Sequence, residues 1–226
     1  MSLSEDEINQ WQQIILANEV DADRSLKRLG EENHEQFMAL CHKLLKKSSP
    51  EVRRVVLRRL GFQGNHNDAF AEAIALAALE EPREREAALI ALRRIATPAA
   101  FPALLRYAGS GYFLALKAAA WQAQTEEQRH QVLALARRQV LSETPHMREI
   151  AVRVIRTFSS PAAEEALLLE AAQRYFDEFV FGALRQATLQ ALPTLLGMQA
   201  KMRPRTAEYN DASRAIEALQ KRAQTS

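Results

Sequence analysis

A pattern about thirty residues long recurs along this chain, and that recurrence limits the fold more than any single motif does. The segment PEVRRVVLRRLG, residues 50–61, joins a helix start, a cation three residues on and an apolar triplet behind it, and the pattern returns four times. With Arg53 set over Arg85, Lys117, Arg148 and Arg185, the position of Val55 becomes Ala87, Ala119, Ile150 and Ala187. The position of Leu57 becomes Leu89, Trp121, Val152 and Leu189, all apolar. Val56 lines up with Ala88, Ala120, Ala151 and Thr188, small residues where two helices need to approach closely. The steps between cations are 32, 32, 31 and 37 residues. Such a period marks an all-α solenoid in which each unit buries its face only against its neighbours.

Composition agrees with helices and narrows the setting. Leu, Ala, Arg, Glu and Gln dominate, all strong helix formers, while seven Gly and eight Pro leave little for sheets and hairpins. One cysteine, Cys41, cannot form an internal disulfide, and its neighbours Phe37, Leu40, Leu44 and Leu45 make it a small core residue in a reducing compartment. The acidic start MSLSEDEINQW carries no secretory signal, and no apolar run approaches the about 18 residues of a membrane span. The expectation is a cytoplasmic protein with no membrane contact. Thirty basic residues against 28 acidic ones give a net charge of +2, with no sign of the cation-rich face that binding several phosphates requires.

In chain order, Ser4 and Glu7 form a capping box before an amphipathic helix that includes Trp11, and Asp21 to Leu29 reads as a second helix closed by Gly30. Residues 1–30 are therefore expected to be N-terminal capping helices. Residues 31–197 divide into five helix pairs, with inner helices starting at Pro50, Pro82, Tyr112, Pro145 and Gly182, and loops at Gly61 to Asn67 and after Ala96. In the second outer helix Phe70, Ala73, Ile74 and Ala77 read as the inward face. Pro193 is expected to kink or end the fifth inner helix, and residues 198–226 form a basic linker and a C-terminal capping helix with Ile216 and Leu219 inward.

The inner-helix segments PEVRRVVLRRLG, PREREAALIAL and PHMREIAVRVI resemble the HEAT repeat and its shorter HEAT-like variants. Val52-Arg53 matches the Val-Arg pair that opens the second helix of such units, and Glu84-Arg85 and Met147-Arg148 match at the arginine. The ladder aspartate of the family, about six residues before that arginine, is replaced by Lys47, Leu79 and Ser142, with Glu80, Glu81 and Glu143 near enough to substitute. The resemblance implies a right-handed α-α superhelix with capping helices at both ends, whose inner helices line a concave face.

No chemistry declares itself. The five histidines, at 34, 42, 66, 130 and 146, form no metal-ligand pair, and there is no phosphate-binding glycine loop, nucleophile elbow or Ser-His-Asp order. No catalytic residue, metal site or cofactor is expected. Function then rests on the concave face, where the position of Arg54 reads Glu86, Ala118, Glu149 and Gln186, and that of Arg58 reads Ile90, Gln122, Arg153 and Gln190. A row of alternating sign suits another protein better than a run of phosphates. The candidate partner-binding residues are Arg54, Arg58, Glu86, Ile90, Trp121, Glu149, Arg153, Gln186 and Gln190, serving a scaffold, adaptor or inhibitor; Trp121, aligned with Leu57 and Val152, reads as core before contact.

The competing reading is a DNA-binding or DNA-repair protein, like the glycosylases built on HEAT-like repeats. It draws on Arg53, Arg54, Arg58, Arg59, Arg93 and Arg94, and on the aromatic-flanked carboxylates Asp177 and Glu178.

Overall fold

The helix-start signals at Ser4, Pro50 and Pro145 are met. The computed structural model describes residues 4–66, 68–95 and 97–225, and of Lys47 the backbone alone. The expected loop end at Asn67, the helix end at Ala96 and the side chain of Lys47 lie outside the described residues. Among these residues there are fourteen α-helices, two short 3-10 helices and no strand, as the repeat and the composition require of an all-α helical-repeat fold. The chain forms two compact units, one of residues 1–107 and 121–123, the other of residues 108–120 and 124–226.

In the first unit α1 (Glu5–Ala17) and α2 (Glu19–Glu32) precede the pairs α3 (His34–Lys47) with α4 (Pro50–Gln63) and α5 (Ala69–Ala78) with α6 (Arg85–Ile95). The Ser4–Glu7 capping box forms, Asn18 and Asn33 cap α2 and α3, and Pro50 occupies the first turn of α4, where its missing N–H costs nothing. Helix α7 (Phe101–Gly109) follows a 3-10 turn at Pro98–Ala100, and α8 (Phe113–Gln122) follows Gly111. The second unit contains α9 (Glu126–Gln139) with α10 (Pro145–Phe158), α11 (Glu165–Tyr175) with α12 (Glu178–Leu184), and α13 (Leu192–Gln199) with α14 (Ala207–Thr225).

Two glycines expected at helix ends stand inside helices. A Cβ on Gly61 would lie 2.3 Å from the Ile90 backbone oxygen, so glycine at this point of α4 lets α6 pack directly on its backbone. Gly30 is likewise inside α2, against the side chain of Gln63, and Gly64 ends α4 instead. The face of α5 is also turned: Ala71, Ala75, Ala78 and Leu79 are buried, while Phe70, Ala73 and Ala77 are exposed. In AFAEAIALAA nearly every position is apolar, so the pattern alone does not choose a face.

The register needs two corrections. Helices α4, α6 and α10 bury the same offsets from Arg53, Arg85 and Arg148, so those three alignments stand. In α8, however, Ala115, Ala118, Ala119, Gln122 and Ala123 are buried while Trp121 is exposed, which sets Leu116, not Lys117, over Arg53. In the fifth repeat α12 begins at Glu178, seven residues before Arg185, so Val180 and Phe181 take the core positions and the long step disappears. Pro193 does not kink an inner helix: it lies in the first turn of α13, within a segment TLQALP that repeats TPAAFP at residues 97–102.

The repeated arginine holds helix ends together. Arg53 donates to the Ser48 carbonyl, Arg85 to those of Leu79 and Glu80, and Arg148 to those of Ser142 and Glu143, each at the end of the preceding outer helix. Tyr107 stacks on Arg85 and donates to the Leu79 carbonyl, and Tyr175 does the same with Arg148 and the Leu141 carbonyl. The carboxylate partners come from the following repeat: Glu84 accepts from Arg53 at 2.7 and 2.9 Å, and Asp177 from Arg148 at 2.8 Å. Glu143, expected to supply this charge to Arg148, contributes a backbone carbonyl, and Glu80 contributes one to Arg85.

Candidate inner-helix binding faces

In the first unit the outward cations of α4 are already occupied. Arg54 Nη2 and Arg58 Nη1 donate to the two carboxylate oxygens of Glu19 at 2.7 and 2.9 Å, so one residue of α2 ties down both. Arg59 is buried and ion-paired with Asp23, also on α2. Arg94 donates to the Gly64 carbonyl, and Arg53 is held by Glu84, which keeps the Arg53 guanidinium protonated beyond its ordinary range. Five of the six arginines that favoured a phosphate-tracking groove thus have partners in this chain. Sequence reasoning missed Glu19 and Asp23 because both lie in the capping region, outside the repeat.

The apolar side of the same face is more open than expected. Trp121 is 64% exposed, which overturns its reading as core. With α8 reset by one residue it takes the position of Arg58 and Ile90, while its neighbour Gln122 turns inward and donates to the Leu92 and Arg93 carbonyls. Ile90 is half-buried beside Gly61, and Glu86 is exposed with no hydrogen bond or ion pair among the described residues. Ala118, expected on the outward row, is buried, and Lys117 replaces it.

In the second unit α10, α12 and α14 surround a pocket of about 490 Å³. Glu149 and Arg153 of α10 face it and pair at 2.6 Å; Arg214 and Asp211 of α14 pair at 3.3 Å. Gln186 and Gln190, though exposed, fall in the turn after α12 and in the 3-10 segment that follows, so they do not share the inner-helix row. Phe179 and the buried Ala183 occupy the corresponding places. A second pocket of about 440 Å³ lies beside Phe176 and Met198, and one of about 380 Å³ in the first unit borders Arg53 and Glu84.

The carboxylates considered for base chemistry divide in role. Asp177 is buried, accepts from Arg148 and caps α12 through the Phe179 N–H, so it is structural. Glu178 is exposed at the pocket rim. Burial pushes the Cys41 thiol far up, which makes it inert as a nucleophile near neutral pH. Among the described residues no three His, Cys, Asp or Glu side chains gather as a metal-binding group, and no helix is long and apolar enough to cross a membrane.

Comparison with known proteins adds one match: the family model for HEAT repeats covers residues 37–124, from α3 to just beyond α8. No curated protein and no solved structure matches the chain. The repeated Arg53, Arg85 and Arg148, the paired helices and this match make residues 37–124 similar to HEAT repeats, within an all-α helical-repeat chain.

Proposed function

We propose that the chain is a non-enzymatic protein-binding module, a scaffold, adaptor or inhibitor, that holds another protein on the exposed faces of its inner helices. HEAT repeats generally mediate protein–protein interaction, which supports the reading at the level of the family. The observation that carries it for this chain is the state of the first unit's inner face. Its outward arginines are engaged from within, Arg54 and Arg58 sharing the Glu19 carboxylate, while Trp121 stands exposed in the same row. A face that tracks phosphates needs uncommitted cations, whereas an exposed tryptophan beside satisfied charges suits a protein hot spot.

The test is capture of partners from the native source after nuclease treatment, comparing the unaltered chain with Trp121→Ala and Glu86→Lys. Both sites are exposed, so melting should stay within about 0.5 kcal/mol of the unaltered chain. Trp121→Ala should lose a specific protein partner, with Glu86→Lys weakening it less. Retention of all captured proteins by Trp121→Ala, together with tight, steeply salt-dependent DNA binding, would turn the reading toward nucleic acid.

A further inference from the structure

The pocket among α10, α12 and α14 holds two arginines whose side chains are tied to no carboxylate among the described residues, whereas Arg54 and Arg58 of the first unit share Glu19. Arg153 is neutralised by Glu149, and Arg214 by Asp211. Arg156 and Arg185 also line it, and neither side chain has a hydrogen bond or ion pair among the described residues. The Arg185 Nε is buried and has no acceptor. Buried donors are nearly always satisfied, so an orphan donor beside a pocket calls for an acceptor that arrives with a ligand.

We propose that this pocket binds a carboxylate from an acidic-apolar segment of a protein partner. Four arginines and three carboxylates line it, an excess of one positive charge, which a single carboxylate cancels. Phosphate carries up to two charges and a nucleic-acid backbone many more, and either would stand against Glu149, Glu178 and Asp211. Guanidinium forks match a planar carboxylate through two parallel hydrogen bonds. The pocket wall adds Phe179 and Val152, so an apolar side chain next to the acid gains cover. Gly182 leaves the floor open: nothing lies within 4 Å of where a Cβ would be. A volume of about 490 Å³ falls in the range of small-ligand pockets and admits a few residues, not a whole helix.

The inference rests on the protein-binding reading and specifies one contact within it. A fluorescein-labelled short peptide of alternating Glu and Leu, its Gln-Leu counterpart and a labelled single-stranded DNA are titrated against the full chain by anisotropy. The Glu-Leu peptide should bind at least about tenfold more tightly than the Gln-Leu peptide, and Arg156→Gln with Arg185→Gln should erase that difference. Neither arginine supports a partner in the fold, so melting should be unchanged; if the double variant fails to fold, the exposed Arg156→Gln alone should still weaken the Glu-Leu peptide.

No saturable binding of the Glu-Leu peptide up to millimolar concentration would overturn the proposal. So would equal binding of the Gln-Leu peptide, or tighter DNA binding lost with the same arginines. Because these titrations do not involve Trp121, the proposal can fail while the capture experiment still supports protein binding, and the reverse.

Discussion

The two units use the same fastening and reach different inner faces. In both, an arginine at the start of an inner helix grips the carbonyl end of the preceding outer helix and takes a carboxylate from the next repeat: Arg53 with Glu84 in one, Arg148 with Asp177 in the other. In both, a glutamate of an outer helix satisfies a threonine N–H at the next 3-10 turn, Glu72 with Thr97 and Glu165 with Thr188. The faces then diverge. The first unit closes α4 onto α6 at Gly61 and ties Arg54 and Arg58 to Glu19; the second has a seven-residue α12, an open Gly182 and two arginine side chains without partners among the described residues. What recurs is the joint between successive repeats within each unit, and what varies is the surface it leaves over.

The largest expected difference lies in the joints. Arg148 and Asp177 are 7% and 5% exposed, so Asp177→Ala strands a buried guanidinium and removes the α12 cap, at about 3–5 kcal/mol. Arg53 is 29% exposed and can turn to water, so Glu84→Ala should cost less, about 1–3 kcal/mol. Equal shifts in the urea midpoint would break the claim that burial separates the two joints.

Glycine substitutions should move in opposite directions. Gly61→Ala meets the Ile90 backbone, which has nowhere to go, and should destabilise by about 1–3 kcal/mol. Gly182→Ala meets open space inside a helix and should gain up to about 1 kcal/mol. Thermal unfolding of the two variants gives the comparison directly, and destabilisation by Gly182→Ala would show that the pocket floor is closed.

The smallest effect separates a buried acid from an exposed one. Glu164 accepts from Arg137 and Ser159, and chiefly the Arg137 hydrogen bond holds its carboxyl below the ordinary 4.5. A depressed folded value contributes stability above the ordinary carboxylate range and loses it as pH falls through the lowered value. Glu164→Gln should therefore cost about 1–2 kcal/mol at neutral pH and flatten the acid limb of the stability curve. Glu80→Gln, whose exposed pair with Arg106 lies in water, should change stability by well under about 1 kcal/mol. Matching acid limbs in the two variants would remove Glu164 from the account.

Much of the local structure could be read in advance because its causes are local. The capping boxes at Ser4–Glu7 and Thr125–Gln128 and the first-turn prolines Pro50 and Pro145 act within a few residues and appear where the sequence puts them. Register was harder. Leu116 and Lys117 both fit an apolar-rich LALKAAAW pattern to within one residue, and one residue is enough to send Trp121 from core to surface. The aromatic segment before Gly182 hid the early start of α12, because Tyr175 belongs to an arginine joint and Phe181 to the core.

By itself, the sequence determined that this protein is a chain of paired helices, since periodicity, caps and helix propensity act over a turn or one repeat. Only the tertiary structure decided which charges remain available. Glu19 and Arg54 are 35 residues apart, as Arg148 and Asp177 are 29 apart, and cancellation across such distances depends on which helices pack together. The difference between arginines tied to Glu19 and a pocket with two arginine side chains unpaired among the described residues is a property of that packing, because a charge is spent or unspent only with respect to what lies within a few ångströms of it.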